Sequence, residues 1–389
     1  MVNRRRFLGA ASLGLAGVWV GPGSARGQGV EESARKALKP APPSPPKADE
    51  RVDRNLAAVR DRHKLPGIIG AVVKGESLAA IGAVGVRKLG SDDPIRATDR
   101  VHLGSDTKAI TATLLGMLVD QKALTWSSTV GDVFPKLAKN VHPDFRGVTL
   151  WQLLTHRSGL PANGPWWTLK GRTTTEKRRD LLVRMMKNAP ESKPGTAFLY
   201  SNVGYAIAGL MAEQVTSKPW EDLFRERIFA PLGMATAGFG PPGTPGQLDE
   251  PWGHDGKGRP SQFDNAPALG PAGTVHASVP DWAKFVSLHL LGDRGKARLL
   301  TPETFRFLHT PPGGQNYAGG WGVVDQTAAG GKALAHSGSN TTWYCTAWLA
   351  PARGFGVLVA TNQGGDAAEK ACQEAVQGLI RSAPAVLKG

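Results

Sequence analysis

The sequence predicts an α+β fold: an antiparallel sheet built from N- and C-terminal segments, flanked by helices, with a mostly α-helical insert between them. Three observations predict it. A helical pattern followed at once by two strand-like runs opens the ordered part of the chain, four strand-like runs close it, and residues 105 to about 308 are patterned mainly for helices. Strands at both ends can share one sheet only if the middle folds away and returns.

Taken in order, residues 49–64 place Val52, Leu56 and Val59 on one helical face, the spacing that lets three side chains enter a core together. Leu65-Pro66-Gly67 ends that helix, because proline removes a donor and fixes φ. GIIGAVV (67–73) and SLAAIGAVGV (77–86) read as strands joined by a Lys74-Gly75-Glu76 turn. Helices are expected at 105–120, 175–189, 203–216, 219–229 and 279–291. For the last, Ser278 caps and Asp281 reaches back to it. Strands then return as GGWGVVDQ (319–326), KALAHSG (332–338), TTWYCTAWLAP (341–351) and GFGVLVATN (354–362), before a final helix over 366–380. No internal repeat is present.

The first 26 residues read as an export signal. Arg4, Arg5 and Arg6 precede an apolar run that ends at Val20, too short to span a bilayer comfortably. Gly23-Ser24-Ala25 offers a peptidase site, and Arg-Arg-x-Phe-Leu resembles the twin-arginine signal. Residues 27–48 contain KPAPPSPPK (39–47) and read as a proline-rich linker. The folded domain is expected over 49–389, with a sheet subdomain at 49–104 and 317–389 and a helical subdomain at 105–316. The mature chain is expected to be monomeric, exported to the periplasm or beyond, and without a membrane span.

The 389 residues are 41% hydrophobic, enough for one large core or two ordinary ones. Removing residues 1–26 takes away four arginines and no acid, lowering the formal charge from +15 to +11. Such a surplus suits an anionic substrate or an acidic cell envelope; no nucleic-acid motif accompanies it, and nucleic acid is not expected as a partner. The basic run at 170–187 reads as the wet face of an amphipathic helix. Cys345 and Cys372 could form one disulfide or remain two buried thiols. The nine histidines show no metal-ligand spacing, so no metal or cofactor is expected.

VHLGSDTKAITATLLGML (101–118) carries the chemistry. Ser105 stands where a helix begins, so it could be an N-cap. Ser-x-x-Lys occurs three times, from Ser33, Ser44 and Ser105, but only the third lies at a strand-to-helix junction, where residues i and i+3 share a face. A serine hydroxyl needs a neighbouring base, and a lysine becomes one when burial lowers its pKa. Ninety-five residues on comes Tyr200-Ser201-Asn202, the sole Tyr-x-Asn in the chain, and 136 residues later His336-Ser337-Gly338-Ser339 ends a strand.

Three elements in this order resemble the penicillin-recognising serine hydrolases: class C β-lactamases, D-alanyl-D-alanine carboxypeptidases, D-aminopeptidases and related carboxylesterases. LLTHRSGLP (153–161), FAPLGM (229–234), PAGTVHASVPDWAKF (271–285) and YAGGWGV (317–323) resemble the same family. The resemblance covers roughly residues 50–380. It implies that Ser105 is acylated, that Lys108 and Tyr200 share general base and acid roles, and that Tyr200 activates water for deacylation. It further implies that Asn202 holds Lys108 and a substrate amide. The amides of Ser105 and Ser339 would face the oxyanion, with His336, Ser337, Gly338 and Ser339 binding substrate.

His336 departs from the lysine many members carry, so carboxylate recognition should weaken as imidazole loses its charge between about pH 6 and 8. Trp166 and Trp167 could wall the cleft or pack a loop. The preferred reading is an exported serine hydrolase acting on small esters, amides or peptides. A cell-wall D,D-peptidase or β-lactamase, and a non-catalytic penicillin-binding or sensor relative, are the alternatives.

Overall fold

The computed structural model describes residues 49–387; the expected export signal and linker lie outside them. Asp49 accepts from the Arg51 amide at 2.8 Å and starts α1 (Glu50–His63), which ends where Lys64 turns left-handed at φ 54°. The hairpin β1 (Gly67–Lys74) and β2 (Ser77–Gly85) follows, then β3 (Arg100–His102). The middle of the chain carries α2 (Thr107–Asp120), α3 (Thr174–Met185), α4 (Asn202–Thr216), β4 (Val275–Ser278) and α5 (Val279–Leu291). The chain closes with β5 (Gly322–Gln326), β6 (Gly331–Ser339), β7 (Tyr344–Ala350), β8 (Phe355–Thr361) and α6 (Asp366–Val386).

The main sheet runs β2-β1-β8-β7-β6-β5, antiparallel throughout. Its centre joins the two ends of the chain, with Ile68 opposite Thr361 and Lys74 opposite Phe355. Ile69, Ala71 and Val73 enter the core shared with α2, α4 and α5, while Ile68 and Val72 enter a second core formed with α1 and α6. Because both faces are covered, β1 and β8 read as continuous apolar runs rather than alternating ones.

The structure adds elements that sequence periodicity missed. One-turn helices at Val130–Val133 and Leu150–Leu154 are too short to show a 3.6-residue period; their legible signal is the capping box at Thr129/Asp132 and Thr149/Gln152. β3, β4 and the two-residue strand Gly238–Phe239 form a small sheet, again too short to alternate visibly. The final helix continues past residue 380 to Val386, where Ala383 and Val386 are buried. Ser278 does cap α5, but Asp281 does not reach back: its carboxylate takes the Thr236 amide at 2.7 Å and hydroxyl at 2.6 Å.

The basic run also needs correction. Arg178 on α3 is fully buried, bonded at 2.5 Å to both Glu213 and Glu221 and to the carbonyls of Pro267 and Ala268. A guanidinium has five donors in a plane, and here they tie α3 to α4, to the Glu221 segment and to the turn at Pro267–Leu269. Arg178→Met keeps the stem but leaves Glu213 buried without its counter-charge. It is expected to cost about 3–5 kcal/mol, read as a lower urea midpoint; a loss below about 0.5 kcal/mol would rule this role out.

Candidate active site

Ser105 sits in a 3₁₀ turn, Gly104–Asp106, that delivers the chain from β3 into α2. It is not an N-cap: no side-chain capping bond forms at either end of the turn. Its hydroxyl instead meets Lys108 Nζ at 2.9 Å. Gly104 adopts φ +47°, and a side chain there would collide with the Ser339 amide nitrogen. Only glycine allows both the turn and the close approach.

Lys108 is completely buried. Its amine donates to Asn202 Oδ1 at 2.7 Å and to the Ala272 carbonyl at 2.8 Å. Both are acceptors only, so two N–H bonds are committed whatever the charge state. The remaining position faces Ser105 Oγ. Burial pushes the ammonium well below the usual lysine range, and in the neutral amine that position is a lone pair aimed at the serine proton. Asp106 opposes this shift, while burial drives its own carboxyl well upward.

Tyr200 and Asn202 arrive through a clamp that sequence reasoning overlooked. His156, at φ 56°, accepts the Ser201 amide on Nδ1 at 2.9 Å, and its carbonyl accepts the Leu199 amide at 2.8 Å. The residue between is Tyr200, whose ring lies 4.3 Å from the His156 ring and 4.8 Å from Lys108 Nζ. An imidazole accepting a main-chain N–H on Nδ1 must be neutral there; burial, helped by Lys108 and His336, holds its pKa well below normal. The Tyr200 phenol is raised by burial, with hydrogen bonding to Ser105 pulling the other way. Ser201 caps α4, and Asn202 is its first residue, bonded to Lys108 on one side and to Asn163 Oδ1 at 2.9 Å on the other.

The edge of β6 supplies the opposite wall. Gly338 lies so close to the Ser105 turn that a Cβ would overlap the Leu103 carbonyl and come within 2.8 Å of the Ser105 amide. The exposed Ser339 follows, its hydroxyl donating to the Trp343 carbonyl at 2.7 Å. Ser337 is a correction: its hydroxyl pairs with Thr346 at 3.0 Å on the far face of the sheet, because strand residues alternate. Its side chain therefore does not face Ser105.

His336 does lie on the near face, 3.0 Å from the Tyr317 hydroxyl and 3.7 Å from Asp106. Burial, reinforced by the neighbouring Lys108, pushes its pKa down to about 3. The charge loss expected between pH 6 and 8 is thus overturned: the imidazole is neutral throughout that range.

Behind the turn, Cys345 donates to Asp106 Oδ2 at 3.0 Å and contacts the Leu103 carbonyl. Both cysteines are free and buried, on opposite faces of the sheet. Asp106 and Tyr317 were not singled out from the sequence; an acid opening an otherwise apolar helix was the available signal for the first. Among the described residues no cluster could hold a metal ion, and no helix is long and apolar enough to cross a membrane.

A buried amine locked on a serine three residues earlier, with a Tyr-x-Asn segment beside it and a strand edge opposite, invites comparison with known proteins. Residues 52–378 match the Beta-lactamase family. The chain belongs to the beta-lactamase family. The resemblance read from the three motifs therefore holds at family level, and the chain is a hydrolase of the serine β-lactamase-like type.

Among relatives of this family, penicillin-binding protein 4 of Amycolatopsis lactamdurans is 27% identical over 79% of this chain and 83% of its own length. A D-aminopeptidase of Cereibacter sphaeroides is 30% identical over 74% of this chain, but the match spans only 55% of that longer enzyme. The D-alanine carboxypeptidase AmpC of Burkholderia cenocepacia shares the fold at TM-score 0.68, with 20% identity over 85% of this chain and 98% of that one.

Proposed function

We propose that the protein is an acyl-transfer hydrolase of small esters and amides, with Ser105 as nucleophile. The observation that carries the reading is the Lys108 amine, buried, fixed by two acceptors and left with one position facing Ser105 Oγ at 2.9 Å. In this reading Lys108 takes the hydroxyl proton as Oγ bonds to the substrate carbonyl carbon, and the carbonyl pair moves onto oxygen. The Ser105 and Ser339 amides would face that oxyanion, a placement supported by the tight packing of Gly338 on the turn. Collapse expels the leaving group, which receives the proton through Tyr200. Since burial keeps that phenol protonated, its role is to deliver and relay a proton rather than to stand as a phenolate. Water then repeats the sequence on the acyl-enzyme, with the amine again as base.

Position 336 bears on substrate class. A substrate recognised through a carboxylate finds a neutral imidazole there, which supports uncharged esters and, as the D-aminopeptidase relative suggests, amides over carboxylate-bearing peptides and β-lactams. Intact-mass analysis with a p-nitrophenyl ester, a cephalosporin and a D-Ala-D-Ala peptide tests this. The ester should turn over through a Ser105 adduct, and preferential turnover of the cephalosporin would reverse the ranking. KM for any carboxylate-bearing substrate should show no rise from a titrating imidazole between pH 6 and 8, because burial holds His336 down at about 3, below that whole range. A tenfold rise over that range would restore the charged-imidazole reading.

A further inference from the structure

Trp167 is 69% exposed and Phe263 46% exposed, yet their rings meet at 6.3 Å between centroids and 52° between planes. They come from two loops far apart in the chain. Trp167 belongs to a 3₁₀ turn, Trp166–Thr168, held by two bonds from Thr168 to the Pro165 carbonyl. Four residues earlier Asn163 binds Asn202, which binds Lys108. Phe263 rides on a loop pinned from below. Asp264 lies 2.8 Å from the buried His102 and 3.3 Å from Asn340, which follows Ser339. Asn265 donates to the Gly273 carbonyl at 2.7 Å, one residue beyond the carbonyl that holds Lys108.

Each ring is therefore carried by a segment tied to a group beside Ser105. Phe198, 43% exposed, lies beside the site through contacts with His156 and Tyr317. Water against large rings is unfavourable, and their mutual contact covers only part of each. The polar anchors hold the supporting chain in place without requiring the rings themselves. Rings presented in this way suit an aromatic or bulky apolar partner, which gains from edge or offset stacking.

We infer that Trp167 and Phe263 form an aromatic bar over the Ser105 cleft that selects substrates with an uncharged aryl or bulky apolar acyl group. The acyl group lies against the rings while its carbonyl reaches Ser105. This assignment rests on the acyl-transfer reading above and names its substrate class.

Binding and turnover separate the two ideas. By calorimetry, the non-reacting Ser105→Ala protein should bind p-nitrophenyl phenylacetate at least tenfold more tightly than p-nitrophenyl acetate. Adding Trp167→Ala or Phe263→Ala should reduce that ratio below threefold, and Trp167→Phe should retain most of it. In the Ser105 protein the kcat/KM ratio for the same two esters should fall in parallel. Loss of the binding preference in Ser105→Ala itself, or its survival in both alanine variants, overturns the bar. A preference that behaves as expected without Ser105-dependent turnover supports the bar and removes the proposed reaction instead.

Discussion

Ser105→Ala is expected to lower p-nitrophenyl ester turnover by at least about 10³–10⁴-fold and to abolish the covalent adduct seen by mass. The hydroxyl is half-buried and bonds to the Lys108 amine, so unfolding should move little. Lys108→Arg should be as severe for a different reason: a guanidinium stays protonated at any working pH and cannot accept the serine proton. The geometry of Lys108, with Asn202 and Ala272 already taking two of its hydrogens, also predicts strong non-additivity. Once either member of the pair is lost, removing the other should cost little more. Retention of a tenth of the activity in Ser105→Ala, or an adduct on another residue, would sink the mechanism.

Acid should unfold the protein far more steeply than its carboxylates alone would suggest. Burial lowers His309 and His336 to about 3 and holds His156 and His289 well below the usual imidazole value. In the unfolded chain each titrates near 6.5. Below that pH the unfolded state binds protons that the folded state refuses, so stability is fully present above about pH 6.5 and lost as pH falls toward the folded values.

Each such group contributes about 1.4 kcal/mol per pH unit, so His309 and His336 alone give roughly 3 kcal/mol per unit. Burial moves Asp106 upward and Lys108 downward, so their effects on proton uptake oppose each other. Urea midpoints should be level from pH 7 to 8 and fall sharply between pH 6.5 and 4.5. Equal midpoints at pH 7.5 and 5 would show that these imidazoles are not kept neutral by the fold.

The outline of the fold was legible because its signals are local and repeated. Val52, Leu56 and Val59 mark α1, the turn at 74–76 marks the first hairpin, and the four apolar runs near the end become β5 to β8 within a few residues. What failed were elements of one turn or three residues, which hold too few positions to show any period. Arg178 failed for another reason. A helix pattern says which side faces inward, but it does not say that two glutamates on other elements will meet an inward-facing arginine.

For the site, residue order by itself determined the family and brought forward Ser105, Lys108, Tyr200 and Asn202, because that chemistry needs those side chains at those spacings. Tertiary structure alone decided their electrical state. Nothing within the sequence neighbourhood of His336 or Lys108 announces that water is excluded from both, and it is that exclusion, produced by packing β6 against the Ser105 turn, that lowers the pKa of both the ring and the amine. Packing likewise turned Ser337 away from the nucleophile, made His156 the clamp of Tyr200, and brought Trp167 and Phe263 together. The physical reason is the same in each case: desolvation and contact depend on what arrives from distant parts of the chain, which a linear pattern does not record.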